Sequence, residues 1–180
     1  MPHNVVLTGR PGIGKTTVCL KVRNVLEEKG YTVGGIYCPE IRESGRRIGF
    51  EIVDLTEGDR YLLAREGASG PRVGRYGVFI DNLERAAESI ERAVEGTDVV
   101  IVDEVGPMEL KSNTFVGAVR RAADAHTPAI FVVHERSRHP VVVDLREKRT
   151  DVVRFRVTLS NRGELPDRIL EYMLEWLRER

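Results

Sequence analysis

A glycine-rich stretch near the start of the sequence carries the residues most suited to chemistry. Residues 9–16, GRPGIGKT, match the pattern G-x-x-x-x-G-K-[ST] at every position. Small residues let successive backbone N–H groups turn around a phosphate, and Lys15 can then reach the β- and γ-phosphates. The Thr16 hydroxyl can join the ligands of a Mg²⁺ ion. The complete motif therefore predicts a phosphate-binding loop rather than a glycine turn with a salt-bridging lysine.

Two carboxylates form the second candidate group. They are Asp103 and Glu104, at the end of the apolar run DVVIVDEVG, residues 98–106. The position of Asp103 is that of a Walker B aspartate, so we predict Thr16 and Asp103 as the metal-binding residues. Glu104, one residue further along an extended chain, is predicted to face the γ-phosphate and to orient or deprotonate water. The alternative for Glu104 is a solvated residue after a strand.

Residues with less specific signals follow later apolar runs. His134 ends AIFVVH and is predicted to sense the γ-phosphate, with a satisfied polar residue as the alternative. Arg136 and Arg138 are candidate arginine fingers, although a solvated basic loop explains each of them equally well. Asn161 and Arg162 are candidate base contacts, with a loop that caps the last helix as the alternative.

Composition limits the classes of function. The chain has 180 residues, with 28 Lys and Arg against 28 Asp and Glu, so no overall charge draws it to nucleic acid or an anionic membrane. Aromatic residues make up 6%, without an interleaved basic stripe. The two cysteines, the lack of a signal-type N-terminus and the lack of an 18-residue apolar run favour a reducing, cytoplasmic location. We expect one domain over residues 1–180 and no nucleic-acid or membrane partner, and the sequence leaves any protein partner unknown.

The elements that must position these residues alternate between strands and helices. Strands are predicted at residues 4–8, 32–38, 98–106, 129–134 and 154–159, and helices follow most of them. This alternation predicts an α/β fold with a mostly parallel central sheet covered by helices on both faces. Residues 40–55, EIRESGRRIGFEIVDL, are typical of an antiparallel β-hairpin that turns at Ser44 and Gly45.

The region between the hairpin and residue 98 gives weaker signals. Residues 57–76 are rich in glycine and charge, and they predict a surface excursion with a helical turn near residues 61–65. Residues 76–80, YGVFI, favour an edge strand. Asp81 or Asn82 is then expected to cap a helix that runs to about Glu95.

The adjacent aspartate and glutamate resemble those of P-loop NTPases of the RecA-like division. That resemblance implies that the strand after the Walker B strand lies between it and the P-loop strand. The core strand order is then 5-1-4-3-2, with the antiparallel hairpin added at an edge.

A more specific resemblance covers nearly the whole chain. The stretches TGRPGIGKTT, GGIYCPEIRESGRRIGFEIVDL, RVGRYGVFIDN, VDEVGPMEL and RSRHP resemble the THEP-type nucleoside-triphosphatases, also called the cancer-related nucleoside-triphosphatase family. This resemblance implies a cytoplasmic, Mg²⁺-dependent enzyme that hydrolyses ATP, GTP, CTP, UTP and TTP with weak base selectivity, and NDPs more slowly. The nucleotide-binding residues predicted by motif and resemblance are Gly9, Arg10, Pro11, Gly12, Ile13, Gly14, Lys15, Thr16, Thr17, Val100, Ile101, Val102, Asp103, Glu104, Val105, Gly106 and Pro107.

Three functions remain open from the sequence. The first is NTP hydrolysis, with Lys15, Glu104 and His134 as the catalytic residues. The second is a small-molecule or nucleotide kinase, in which residues 40–80 and their arginines form an acceptor pocket, although a water-activating glutamate opposes the exclusion of water that a kinase requires. The third is a nucleotide-dependent adaptor that presents the hairpin to a partner. DEVG also matches the D-x-x-G pattern of GTP-binding switches, but no N-K-x-D follows it, which disfavours a guanine-specific switch.

Overall fold

The computed structural model describes residues 3–180 as an α/β fold. Its strands are β1 (Asn4–Thr8), β2 (Val33–Tyr37), β3 (Glu40–Glu43), β4 (Arg46–Asp54), β5 (Arg60–Glu66), β6 (Arg72–Val73), β7 (Tyr76–Val78), β8 (Val99–Val105), β9 (Ala129–Val133) and β10 (Val152–Arg156). Its helices are α1 (Lys15–Glu28), α2 (Ile80–Gly96), α3 (Asn113–Asp124), α4 (Pro140–Val143) and α5 (Leu165–Arg178). A 3₁₀ turn covers Glu109–Lys111, and a π-helical turn continues α4 over Asp144–Lys148.

The strands form a single sheet with a parallel half and an antiparallel half. The parallel half has the order β10-β1-β9-β8-β2. In terms of the predicted strands this is 5-1-4-3-2, so the predicted fold and core order are confirmed. The antiparallel half continues from β2 through β4, β5, β7 and β6, and β3 pairs with β4.

Both faces of the inner parallel strands β1, β9, β8 and β2 are buried, because helices cover the sheet on both sides. The edge strand β10 instead exposes Arg154 and Arg156. On one face Val102 and Phe131 pack with α2 and α3. On the other face Ile101 and Val132 pack with α1 and α5. The continuous apolar runs of the sequence therefore become strands covered on both sides, and polar side chains collect at their carboxyl ends.

The predicted hairpin forms, with its turn at the predicted residues. Ser44 has φ 52° and Gly45 has φ 78°. Positive φ at both central residues is the geometry of a two-residue turn that matches the twist of the flanking strands. β3 and β4 then pair across it, with Glu43 opposite Arg46.

The helical turn predicted within residues 57–76 is wrong, whereas residues 67–75 are mostly exposed turns, as the predicted surface excursion requires. Tyr61–Arg65 lie in β5, which pairs antiparallel with β4 on one side and β7 on the other. Leu63 and Ala64 are buried in β5, whereas Arg60 and Arg65 are exposed. The strand depends on long-range pairing and on packing against α2, which a local reading of charge and glycine content does not detect.

Two predictions next to β5 are also wrong. Tyr76–Val78 do form a strand, but it lies between β5 and β6 rather than at the sheet edge. α2 begins at Ile80 after Phe79, without a side-chain cap. Asn82 instead donates its side-chain amide to Leu62 O at 2.7 Å, which ties the first turn of α2 to β5. Among the described helices, none has both the length and the hydropathy needed to cross a bilayer.

Candidate active site

The glycine-rich loop joins β1 to α1 and wraps tightly at its first residue. A Cβ atom on Gly9 would lie 2.9 Å from Ile13 Cγ2 and 3.1 Å from Val157 O, so a side chain there would push the loop apart. Gly14, at the N-terminus of α1, has φ 114°, which strongly favours glycine. The sequence therefore places glycine where this loop requires close packing or a positive φ.

The first turn of α1 points its free N–H groups into the loop. α1 has 14 residues, and its first turn contains no acidic side chain. The positive end of the helix dipole and the unpaired N–H groups make this an anion-binding position. Lys15 Nζ donates to Gly9 O at 2.7 Å, so its ammonium group is folded over the loop rather than extended into solvent.

Asp103 and Thr16 connect the end of β8 to the start of α1. Thr16 Oγ1 donates to Asp103 Oδ2 at 2.6 Å. Asp103 is 4% exposed, and burial raises its pKa from 3.8 to about 7, with Glu104 adding to the rise and Thr16 and Lys15 opposing it. An anionic carboxylate at this position is electrostatically costly unless a cation lies nearby.

Glu104 lies at a bulge in β8. The pairing between β8 and β9 aligns Asp103 with Val132 and Val105 with Val133, which leaves Glu104 as the additional residue. Val105 consequently packs on the same face of the sheet as Val102, which simple alternation would not allow. The bulge therefore interrupts the alternation of side chains, and Asp103 and Glu104 both line the same cavity.

That cavity has a volume of about 780 Å³ and runs from the glycine-rich loop to the β3–β4 hairpin. The predicted site residues that line it are Gly9, Arg10, Pro11, Gly12, Gly14, Lys15, Thr16, Thr17, Asp103, Glu104, Pro107, His134 and Arg136. Ile13 is buried beneath the loop. Four other predicted residues do not line the cavity, because they are fully buried in β8: Val100, Ile101, Val102 and Val105. They hold the end of β8, which carries the two carboxylates, in the sheet. Gly106 is buried in the turn that follows β8.

His134 is oriented by the loop that follows β9. Its Nδ1 accepts hydrogen bonds from the N–H groups of Arg136 at 3.1 Å and Ser137 at 3.0 Å. The backbone N–H of His134 donates to Val105 O at 3.1 Å, beside the bulge in β8. Since Nδ1 is an acceptor, the proton of the neutral ring resides on Nε2. The residue is therefore part of the loop structure as well as of the cavity wall.

The two candidate arginine fingers, Arg136 and Arg138, differ in their position relative to the cavity. Arg136 is exposed and lines the cavity, whereas Arg138 is exposed outside it. Arg146 holds this loop from behind, because its Nη1 donates to His134 O at 3.0 Å and Ser137 O at 2.8 Å. Of the two candidate fingers, Arg136 is the one on the cavity.

The predicted base contacts have local partners. Asn161 accepts from Thr158 N–H at 2.8 Å and donates to Arg156 O at 2.8 Å, which closes the turn after β10. Arg162 Nη1 donates to Ile13 O at 3.2 Å and so lies against the glycine-rich loop. A second cavity of about 380 Å³ borders the same region and is lined by Arg10, Ile13 and residues 156–160. Leu159 on its wall is 63% exposed.

Two further residues line the cavity: Glu109, which the sequence did not single out, and Arg47, one of the arginines of residues 40–80 considered for an acceptor pocket. Glu109, in the 3₁₀ turn, is 4% exposed and accepts a hydrogen bond from Gly106 N–H at 3.0 Å. Arg47, on the hairpin, lies over the rings of Phe50 and Tyr76 and donates to the Tyr76 hydroxyl at 2.9 Å. Glu109 belongs to the stretch VDEVGPMEL, where it lies between Met108 and Leu110. These apolar neighbours are the signal in the sequence that could have indicated its burial.

The oxygen ligands at this site fit a Mg²⁺ ion. Thr16 and Asp103 supply a hydroxyl and a buried carboxylate, which are hard donors of the kind that Mg²⁺ prefers. Within residues 3–180, no group of three or more His, Cys, Asp or Glu side chains is arranged to hold a metal ion. This donor set suits an ion that completes its coordination with water and substrate phosphates.

Comparison with known proteins places this geometry in a family. The NTPase_1 family model, described as NTPase, matches residues 4–170. The chain is 92% identical to nucleoside-triphosphatase THEP1 of Methanopyrus kandleri, and the match covers the full length of both proteins. It is 44% identical to THEP1 of Thermofilum pendens, over 92% of each chain.

Solved structures agree with the sequence comparisons. The crystal structure of THEP1 from the hyperthermophile Aquifex aeolicus has a TM-score of 0.82 and 30% identity, covering 94% of this chain and 98% of that one. The solution structure of a human cancer-related nucleoside triphosphatase has a TM-score of 0.78 and 35% identity, covering 95% and 96%. The family model spans the glycine-rich loop, β8 and the loop after β9, so the chain belongs to the NTPase family that includes the THEP1 proteins.

Proposed function

We propose that this protein is an Mg²⁺-dependent enzyme that hydrolyses nucleoside triphosphates to nucleoside diphosphate and phosphate. The observation that carries the proposal is the placement of Lys15, Thr16, Asp103 and Glu104 on one cavity. The names of the THEP1 relatives support the same reaction.

Each residue has a distinct part in the proposed reaction. The N–H groups of the loop and Lys15 bind the triphosphate, while Thr16 and Asp103 hold the metal ion. When bound, Mg²⁺ supplies neutralisation of the charge that develops on the β- and γ-phosphate oxygens. Glu104 aligns a water molecule with the γ-phosphorus and accepts its proton as the water oxygen bonds to phosphorus. The bond from the γ-phosphorus to the bridging oxygen breaks, and nucleoside diphosphate leaves. His134 and Arg136 lie on the same cavity, where Nε2–H and a guanidinium can donate to the terminal phosphate.

Weak base selectivity follows from the kind of contacts involved. Backbone N–H groups recognise phosphate and do not distinguish one base from another. The second cavity shares Arg10 and Ile13 with the loop, and its exposed Leu159 offers an apolar surface that would contact any base. We therefore propose ATP, GTP, CTP, UTP and TTP as substrates and NDPs as slower ones. The cytoplasmic location stays a prediction from the sequence.

The test is phosphate release from the five NTPs and their NDPs, with Mg²⁺ and with EDTA. The proposal predicts Mg²⁺-dependent release from all five NTPs, with kcat/KM values within about tenfold of one another, because contacts to phosphate and to an apolar wall do not distinguish the bases. A tenfold spread corresponds to only about 1.4 kcal/mol. Lys15→Ala is expected to abolish release. Turnover in EDTA equal to that in Mg²⁺, or turnover of one NTP alone, would contradict it.

A kinase is the second candidate function, because the cavity extends beyond the phosphate loop and leaves room for an acceptor molecule. Its wall beyond the carboxylates includes Glu40, Arg47, Phe50 and Val73 from the antiparallel half of the sheet. The volume of about 780 Å³ is in the range of pockets that hold a small molecule. Incubation with ATP and a mixture of cellular metabolites distinguishes the two reactions. Hydrolysis yields free phosphate, whereas a kinase yields NDP and a phosphorylated metabolite.

A further inference from the structure

Glu109 is a buried acid next to the proposed catalytic base, and the reaction as proposed above does not use it. It lies in the 3₁₀ turn six residues after Asp103 in the chain and is 4% exposed. Its Oε1 accepts the Gly106 N–H at 3.0 Å. Burial raises the pKa of this carboxyl, and the charge of Glu104 raises it further. A neutral, hydrogen-bonded acid is the form that such a position favours.

The two glutamates pack against the same backbone position. A Cβ atom on Gly106 would lie 2.5 Å from Glu104 Oε1 and 3.1 Å from Glu109 Oε1. The separation of these two oxygens cannot exceed the sum of those distances, so the carboxyl groups are near neighbours. Gly106 leaves the space that both of them occupy.

The turn that carries Glu109 is attached to a rigid part of the fold. Leu110 N–H donates to Gly106 O at 3.0 Å, and Ser112 N–H donates to Glu109 O at 3.2 Å. Ser112 in turn caps α3, because its hydroxyl accepts the Phe115 N–H at 3.1 Å. Phe115 is fully buried in the core. The turn is therefore anchored to a packed helix, and side chains fixed to packed elements hold reacting groups most accurately.

We propose that Glu109 is a positioning residue for the reaction. It holds the turn at residues 105–107 through the Gly106 N–H and keeps the Glu104 side chain directed into the cavity that contains Lys15. Glu109 acts through Glu104 and does not itself contact the attacking water. This inference rests on the proposed function, because it requires that Glu104 acts on water.

The first experiment compares Glu109→Ala and Glu109→Gln with the unchanged protein, using Mg²⁺·ATP. The alanine removes the acceptor of the Gly106 N–H, and kcat is expected to fall about 10- to 100-fold, as it does when a reacting group is misplaced by a fraction of an ångström to 1 Å. KM for ATP is expected to change by less than about threefold, because the phosphate loop is untouched. Glutamine keeps one acceptor oxygen and is expected to recover most of the lost kcat.

The second experiment repeats the alanine substitution in the Glu104→Gln protein. A residue that acts through Glu104 has nothing left to position there, so Glu104→Gln with Glu109→Ala should be no slower than Glu104→Gln alone. Glu95→Ala, at an exposed glutamate on α2, is the matched control for loss of a glutamate side chain, and its kcat should equal that of the unchanged protein. If Glu109→Ala does not fold, Glu109→Met replaces it in both backgrounds, because methionine fills a similar volume but cannot accept the Gly106 N–H as the carboxyl group does.

Three outcomes would overturn the inference. They are an unchanged kcat in the alanine variant, a glutamine variant as slow as the alanine variant, and an equal further loss in the Glu104→Gln background. Its failure is distinguishable from failure of the proposed function. An active Glu104→Gln protein would reject the proposed base itself, whereas an inactive Glu104→Gln with a fully active Glu109→Ala would reject the positioning role alone.

Discussion

Removing the charge of Asp103 is expected to stabilise the nucleotide-free protein at alkaline pH. The carboxyl is 4% exposed and its pKa is raised from 3.8 to about 7, mainly by burial. Between pH 3.8 and about 7, Asp103 is therefore ionised in the unfolded chain but mostly protonated in the folded protein. Asparagine has nearly the same shape, keeps an oxygen that can accept from Thr16, and carries no charge.

The size and the pH window follow from the pKa difference. Each unit corresponds to 1.36 kcal/mol, so a rise from 3.8 to about 7 corresponds to up to about 4 kcal/mol. Below pH 3.8 the acid is protonated in both states, and the two proteins should have similar free energies of unfolding. Between pH 3.8 and about 7 the folded state holds more protons than the unfolded state, so the stability of the unchanged protein falls relative to Asp103→Asn. Above pH 7 the difference is complete.

The assay is urea unfolding in EDTA at pH 5, 6, 7 and 8, with the free energy of unfolding taken from the midpoint and slope. Asp151→Asn is a control of opposite sign, since the hydrogen bond from Arg149 lowers the pKa of Asp151. That variant should be less stable than the unchanged protein by at most about 1 kcal/mol, with the same difference at every pH from 5 to 8. The lowered pKa of Asp151 means that this difference closes only below pH 3.8, where the unchanged protein loses its ion pair. An Asp103→Asn protein no more stable than the unchanged protein at pH 8 would refute the reasoning.

The other predictions concern the scaffold that places the site. Gly35→Ala would bring a Cβ to 2.0 Å from Ile101 O at φ 108°, so it is expected to cost at least about 3 kcal/mol in urea unfolding. Gly58→Ala, at φ 83° with open space around it, is the matched control and should cost about 1–2 kcal/mol; similar losses for both would show that the contact with β8 is unimportant. Asn82→Ala removes the hydrogen bond to Leu62 O and should cost about 1 kcal/mol, whereas Asp81→Ala, tested as the alternative cap, should cost less. A loss at Asp81 as large as that at Asn82 would contradict a specific contribution from the Asn82 hydrogen bond.

The parallel half of the fold was predictable because its signals are local. A strand buried on both faces has a continuous apolar run, and the glycine-rich loop has an almost unique spacing. The order of the core strands required a resemblance, because periodicity gives no information on which strands are neighbours. β5 could not be identified from its own residues, since its charged ends and its bulged pairing with β4 obscure the alternation.

The site was predictable in composition but not in geometry. Asp103 and Glu104 were identified from their position after an apolar run. The bulge that redirects Glu104 depends on the pairing of β8 with β9, which no residue near 104 specifies by itself. Glu109 was missed because a single acidic residue after a strand normally indicates the surface, and its apolar neighbours Met108 and Leu110 are only a weak signal that it is buried.

The most direct test of the account is the Glu104→Gln protein with Mg²⁺·ATP. Glutamine keeps the shape of the side chain but cannot accept a proton from water, so single-turnover hydrolysis should slow by about 10²- to 10⁴-fold. Binding of a nonhydrolysable ATP analogue should stay within about threefold of the unchanged protein, because Lys15 and the loop are intact. Phosphate release at the unchanged rate would contradict the assignment of Glu104 as the group that activates water.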